Sequence, residues 1–332
     1  MSGSFRDRRV VIIGGLGFIG SNLARRLVER GAEVLLVDTL APDQGGNLFN
    51  IDGIENKVRV STVDVRDEQL LYDLVQGRDY LFNLVGQTSH LDSMRDPYTD
   101  LEMNCRAQLS ILEACRKRNP DIKVVFASTR QVYGCPEYLP VDERHPLHPV
   151  DVNGVNKMAG EWYHLVYRRV YGVRSCVLRL TNTYGPRMRV KDARQTFLGL
   201  WIRRVVEGKA IDVFGDGRQM RDLNYVEDVV EALLLAATSD EARRQIFNLG
   251  ADDPISLRDL AALLIETHGS GEHRLVPFPA EHKAIDIGSY YADYRRIRTT
   301  LGWAPKIPLR QGLAEALDYY RTHGQRYWEE EA

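Results

Sequence analysis

Three glycines, two aspartates and a pair of hydroxyls carry the chemistry most visible in this sequence. Gly14, Gly17 and Gly20 stand three apart directly after the apolar run 10–13, and an amphipathic stretch with Leu23, Leu27 and Val28 follows. That order reads as strand, tight turn and helix. Glycine is needed there for separate reasons: one position turns sharply, one lets the backbone approach a pyrophosphate, and one lets the helix lie close on the strand. The helix N-terminus then offers unpaired N–H groups and a partial positive charge to phosphate. A second apolar run, 32–37, ends in Asp38. A carboxylate there hydrogen-bonds the hydroxyls of an adenosine ribose and repels a 2′-phosphate, so NAD is expected rather than NADP. Asp64 closes a third strand and has two readings: an acceptor for the adenine amino group, or a cap for the next helix. A fifth strand ends in Ser128 and Thr129. The basic stretch 187–191 reads either as a solvated face or as a receiver for a diphosphate.

These residues need a scaffold, and the pattern supplies one. Strands are predicted at 57–64, 79–85, 123–129 and 174–180. Between them run a helix from Asp67 to about Gly77, a long one over 99–118 and another over 154–170. Strands alternating with helices in this way predict βαβ units and a doubly wound parallel α/β sheet of the Rossmann type. Pro42, Gly45 and Gly46 mark a loop after Asp38, and 136–150 form a Pro-rich loop. The regularity changes at Thr181. Helices are predicted over 196–206, through Val229, Leu233 and Leu234, from the cap Ser256 to His268, and over 312–320. A tight turn falls at Gly215 and Gly217, little periodicity shows over 272–295, and Glu329 to Glu331 are expected to fray. We therefore expect a dinucleotide-binding domain of 1–180 plus about 223–250, and a smaller substrate-binding domain of 181–222 and 251–332.

Length and composition narrow the class. The 332 residues suffice for a full core, and 44% hydrophobic residues with 27% charged ones are ordinary for a soluble globular protein. A net charge of −2 argues against nucleic acid or an anionic membrane as partner. Cys105, Cys115, Cys135 and Cys176 include no Cys-x-x-Cys pair, so reduced thiols, a cytoplasmic location and no metal are expected. The first residues carry no apolar signal core, and no run approaches the length of a membrane helix.

Taken together, the motifs resemble the extended short-chain dehydrogenase/reductases of the nucleotide-sugar epimerase and dehydratase group. The likeness runs over nearly the whole length. It rests on Gly14-x-x-Gly17-x-x-Gly20, Asp38, Asp64-Val65, Ser93-x-x-Asp96-Pro97 followed by Asn104, and Ser128-Thr129-Arg-Gln-Val-Tyr-Gly134. It continues through Lys157, Asn182-x-Tyr184-Gly-Pro-Arg187, Val213-Phe-Gly-Asp-Gly217, Arg221-Asp222, Tyr225-Val-x-Asp228 and Leu301-Gly-Trp303. The resemblance implies a bound NAD that takes a hydride from a sugar carbon, usually C4, while a protein group takes the hydroxyl proton. It implies cofactor contacts at Gly14, Gly17, Phe18, Ile19, Gly20, Asp38, Thr39, Asp64, Val65, Leu84, Val85, Gly86 and Lys157, with Asn104 in a buried structural role beside them. Thr129 corresponds to the catalytic Ser/Thr, and Lys157 to the lysine on the nicotinamide ribose. Arg130, Gln131, Asn182, Arg187, Val213, Phe214, Arg221, Lys283 and Asp286 fall on the nucleotide-sugar side. A homodimer through the helices 101–118 and 154–171 is implied as well.

The chain departs from that family at telling places. Position 153, four before Lys157, holds Asn where the family has its tyrosine base, and an amide has no ionisation near pH 7. Three readings follow: another group carries the proton (Tyr133, Asp151, Cys135, or a water held by Thr129 and Asn153); the chemistry needs only a weak base; or the protein binds without catalysing. Arg130 and Gln131 stand where 4,6-dehydratases have an acid pair, which disfavours water elimination and favours epimerisation; a dehydratase, a decarboxylase or a reductase of the same family are the alternative readings. Arg130 suits a carboxylate or polar sugar substituent, or simply lies solvated at the rim. Lys283 stands where an arginine is usual and lacks its fork. The function these residues favour is NAD-dependent C4 epimerisation of a nucleotide sugar through a transient 4-keto intermediate.

Overall fold

A computed structural model describes residues 5–41, 45–243 and 245–328. The predicted turn residue Pro42 and the acidic end 329–331 lie outside them. The central sheet has seven parallel strands. Six are β1 (Arg9–Ile13), β2 (Glu33–Val37), β3 (Val58–Ser61), β4 (Tyr80–Asn83), β5 (Lys123–Thr129) and β6 (Arg174–Leu180), and the seventh is Ile246–Asn248. Across the sheet the order is the seventh strand, then β6, β5, β4, β1, β2 and β3. The intervening helices are α1 (Phe18–Glu29), α2 (Glu68–Val75), α3 (His90–Arg95), α4 (Pro97–Leu101), α5 (Ala107–Arg118) and α6 (Val152–Tyr171).

Strand periodicity explains the layering. Val10 and Ile12 of β1 pack with Leu23 and Leu27 of α1 and with Val229 and Leu233 of the helix Val226–Thr238. The alternate residues Val11 and Ile13 meet Leu71 and Val75 of α2 and Ile111 and Leu112 of α5 on the other face. Both faces of the strand are thus covered, as a doubly wound sheet requires. Each fully buried aliphatic side chain contributes about 1.5–3 kcal/mol, so the strand's own alternation holds both helical layers.

Local chemistry sets the boundaries. Asp67 Oδ1 accepts from the N–H groups of Gln69 and Leu70 and starts α2. Of the two readings of Asp64, the helix cap is therefore wrong, because Asp67 does that work. The helix predicted from Gly154 begins two residues earlier at Val152, because Asp151 accepts from Gly154 N at 2.7 Å. The single helix predicted over 99–118 is interrupted: between α4 and α5 lies a wide π-type turn, Glu102–Arg106, that contains Asn104.

A second lobe packs the helices Phe197–Val206, Leu257–His268 and Leu309–His323 around Met188, Ile211, Val213 and Tyr225. Three two-stranded ladders rim it. The segment Asn182–Tyr184 pairs in parallel with Leu223–Tyr225, Ile211–Phe214 in parallel with His273–Val276, and Met220–Arg221 antiparallel with Ile255–Ser256. The C-terminal region is shared between lobes, since Tyr294, Ile297 and Trp303 join the larger core.

Candidate active site

The register of β1 builds the crevice. Ile13 pairs with Val37 on one side and Asn83 on the other, so the turn after β1 lies between Asp38 and Leu84. The strand order reverses here, and a ligand crevice is expected outside the carboxyl ends at such a point. Gly14 turns with φ of +80°. A methyl group on Gly20 would lie 2.1 Å from the Gly14 carbonyl oxygen, so only glycine lets α1 approach the turn. Gly17 caps α1 with no side chain, and no acidic residue sits in the first turn. The leading N–H groups, with Phe18 and Ile19 on the cleft wall, are open to an anion.

Asp38 sits at the turn. Its carboxylate accepts from Leu16 N at 3.0 Å and Leu40 N at 3.1 Å. Burial raises its pKa against the pull of those amides. Thr39 and Val65 line the same end of the cleft. Asp64 does not: its carboxylate is clasped by Arg66, whose Nε lies 2.9 Å from both oxygens. The Arg66 bond holds that carboxyl below its ordinary range.

Leu84, Val85 and Gly86 form the middle of the cleft. A methyl group on Gly86 would fall 2.3 Å from Asn104 Oδ1 and 2.6 Å from Lys157 Nζ, so glycine brings this backbone against both polar groups. Asn104 is fully buried. Its Nδ2 donates to Gln87 O at 3.1 Å, while its Oδ1 has no protein partner. Lys157 Nζ reaches the carbonyls of Val85 and Ala127, both at 3.4 Å, and lies over the Phe126 ring. Burial lowers its pKa to about 8 against the opposing pull of Asp100 and Glu161.

Thr129, at the end of β5, accepts from Gln131 N at 3.2 Å, which leaves its own O–H proton for the cleft it lines. Asn153 lines the cleft one turn of α6 before Lys157. Its amide nitrogen is engaged, donating to Gln87 O at 2.7 Å and to Asp100 Oδ2 at 3.0 Å.

The substrate-side residues separate into groups. Arg130 and Asn182 line the cleft, and each has a buried polar atom, Nε and Oδ1, without a protein partner. Gln131 points inward to Asp151 Oδ2 at 2.7 Å. Arg187 is turned from the cleft: Nη1 donates to Asn22 Oδ1 at 2.8 Å and the guanidinium lies over Tyr319. Arg221 and Asp286 stand 3.7 Å apart, and burial beside Arg130 lowers the Arg221 pKa to about 10. Val213 is buried, whereas Phe214 packs against Phe278 and His282. Lys283 lies on the short helix Ala280–Ala284.

The proposed proton carriers fare differently. Tyr133 is buried, donates to Asn248 Oδ1 at 2.6 Å and accepts from Arg179 at 2.8 Å; burial pushes its phenol up to about 12. Cys135 is exposed, 3.7 Å from the Asp286 carbonyl oxygen, and is not part of the cleft wall. The Asp151 side chain is inaccessible. A residue missed in the sequence is His90, which lines the cleft from the first position of α3. Its signal was its place in the loop after β4, at the carboxyl edge of the sheet.

Residues 10–250 match the NAD dependent epimerase/dehydratase family. The chain belongs to that family. It is 31% identical over 95% of its length to a putative UDP-glucose 4-epimerase of Methanocaldococcus jannaschii, covering 99% of that protein. The crystal structure of a Thermotoga maritima UDP-glucose 4-epimerase with UDP-glucose matches with a TM-score of 0.87 at 30% identity, covering 95% of this chain and 99% of the other. A Thermus thermophilus UDP-glucose 4-epimerase in complex with NAD matches with a TM-score of 0.83 at 30% identity, over 94% and 99%. NAD is the cofactor of this epimerase/dehydratase family, and the cleft suits it: an uncapped helix N-terminus for the pyrophosphate, a carboxylate for the ribose, and a buried cation with a vacant amide oxygen farther along. Among the described residues no helix is long and apolar enough to cross a membrane.

Proposed function

We propose that this protein is an NAD-dependent nucleotide-sugar 4-epimerase working through a transient 4-keto sugar in the cytoplasm. The observation that carries the reading is the meeting of Thr129 and Lys157 in one cleft with the glycine turn. NAD, when bound, supplies the hydride acceptor and donor. Gly14, Gly17, Gly20 and Asp38 would hold its adenosine diphosphate, and Lys157 its second ribose. Lys157 also places positive charge where the sugar oxygen gains electron density. Thr129 donates its free O–H to that oxygen. Arg130 and Gln131 offer no acid pair for eliminating water, which favours epimerisation over dehydration. Arg130, Asn182 and Arg221 are the groups we assign to the diphosphate and sugar, and Phe214 to the base.

The engagement of the Asn153 amide with Gln87 and Asp100 favours a second reading, a binding protein that does not turn substrate over. Incubation of the NAD-loaded protein with UDP-glucose or UDP-galactose separates the two. Appearance of the C4 isomer supports the enzyme. Tight sugar-nucleotide binding without isomer or reduced nicotinamide supports the binder.

We also propose a homodimer. Val155, Trp162, Val166 and Val170 are exposed along one side of α6, with Tyr98 and Leu101 exposed on α4. An apolar strip of that extent on a water-facing helix suits a second copy of the chain. Light scattering at micromolar concentration would show twice the chain mass, and a monomer would overturn it.

A further inference from the structure

An epimerase with asparagine at position 153 still needs a proton acceptor. Tyr133 is locked behind Asn248 and Arg179, Cys135 is outside the cleft wall, and the Asp151 side chain is inaccessible. We propose that His90 is the general base and acid of this site, with Asp151 as the residue that positions it. The proposal rests on the epimerase reading and names the proton path within it.

His90 shares the cleft wall with Thr129, Asn153 and Lys157. Its ring is partly open, with 35% of the side chain exposed, while Asp151 shows 0%. His90 Nδ1 is buried and lies 3.0 Å from Asp151 Oδ2, within reach but off the line of a hydrogen bond, so a small turn of the ring would be needed to close it. That carboxylate is fixed from two further sides, by Gly154 N and by Gln131 Nε2, each at 2.7 Å. Burial works to raise the Asp151 pKa, but the imidazole and the two donors outweigh it and hold the group ionised. With the ring turned onto that carboxylate, the tautomer protonated at Nδ1 would be favoured and Nε2 would be left as an acceptor. The backbone is pinned too: Ser93 Oγ donates to His90 O at 2.7 Å and accepts from Asn153 N at 3.2 Å, which ties α3 to the start of α6.

The step balances within these groups. The sugar O–H bond breaks and an Nε2–H bond forms. The freed electron pair would become the second carbonyl bond, and NAD, when bound, would supply the acceptor for the carbon's hydride and its return to the opposite face, as inversion requires. The imidazolium proton would then go back to the oxygen. The imidazolium in between lies against ionised Asp151. The other charged groups on these elements are Asp92 on the same helix, 3.3 Å from Arg194, and Arg130 and Lys157, which line the same cleft. Lys157 is the rival base, since burial already brings it to about 8.

Two measurements decide. In NAD-loaded protein with 15N-labelled histidine, the His90 ring should show Nδ1–H and a bare Nε2, and Asp151→Asn should lose that tautomer preference. With UDP-glucose and UDP-galactose as probes, His90→Gln should lower kcat by about 10²–10⁴-fold and abolish the acid limb of its pH profile, with NAD affinity unchanged. Asp151→Asn should lower kcat while leaving KM unchanged, as loss of a positioning group would. An Nε2–H tautomer, or a His90→Gln rate within threefold of the parent, overturns the assignment. If the parent itself converts neither sugar, the function proposed above fails; if the parent turns over and His90→Gln matches it, the assignment of His90 alone fails.

Discussion

The Asn153 amide donates to Asp100 Oδ2 at 3.0 Å while Asn156 donates to the other oxygen at 2.8 Å, so a fully buried carboxylate depends on both asparagines. Asn153 is thus tied into the packing beneath the cleft. Asn153→Tyr is expected to give no gain in turnover, and to destabilise the fold by about 1–3 kcal/mol because Asp100 loses a donor. Urea unfolding and initial rates check both. A large rise in rate would show instead that the site is a damaged ordinary one.

Lys157 sets up a trade between stability and activity. Its folded pKa is about 8, well under that of an exposed lysine, because of burial. Between about pH 8 and 10.5 the unfolded chain binds the extra proton, so this group makes the fold more stable as pH rises through that window. Lys157→Met removes the penalty. It should raise the stability of the NAD-free protein near pH 7 by up to about 3 kcal/mol, and the advantage should shrink by pH 10. Turnover should fall at least about 10²-fold. Thermal melts at both pH values and steady-state rates provide the check.

Asp38 should control the choice of dinucleotide. It is half enclosed by the turn and accepts from Leu16 and Leu40, so a ribose seated at that turn would set a 2′-phosphate against its charge. Asp38→Ser should reduce the preference for NAD over NADP by about 10–100-fold, read by titration calorimetry with each. An unchanged ratio would place the ribose elsewhere.

Arg130 is the residue through which we expect sugar choice to be tested. Its Nε is buried without a protein partner beside the cleft, and burial lowers its pKa. Arg130→Gln should lower kcat/KM for UDP-glucuronate relative to UDP-glucose by about 10-fold or more, since the fork that would grip a carboxylate is gone. Equal losses on both sugars would assign Arg130 to the shared diphosphate.

The backbone plan was legible because the strands are apolar runs bounded by glycine or capping residues. The strands at 123–129 and 174–180 were read to the residue. The seventh strand, Ile246–Asn248, and the segment His273–Val276 were missed, being three and four residues long with no room for a period to show. The glycine turn and Asp38 could be placed because chemistry and spacing coincide there. Asp64 could not: its orientation depends on Arg66, two residues on, and an acid at a strand end suits an adenine acceptor and a helix cap alike. The pairing of His90 with Asp151 was invisible because the partners are far apart in sequence and meet only when α3 docks on the start of α6.

The C-terminal region has a consequence for how the protein handles its two ligands. The chain leaves the larger core after β6, returns with the helix Val226–Thr238, leaves again before Leu257, and returns once more with Ile297 and Trp303 before the last long helix. Several connections therefore cross between the lobes, and a wide gape would have to bend all of them together. Such stitching tolerates small breathing, enough to admit and release a sugar nucleotide at the rim. A dinucleotide seated along the floor would escape far more slowly and stay aboard through many rounds, as suits a reagent that ends each round in the state in which it began.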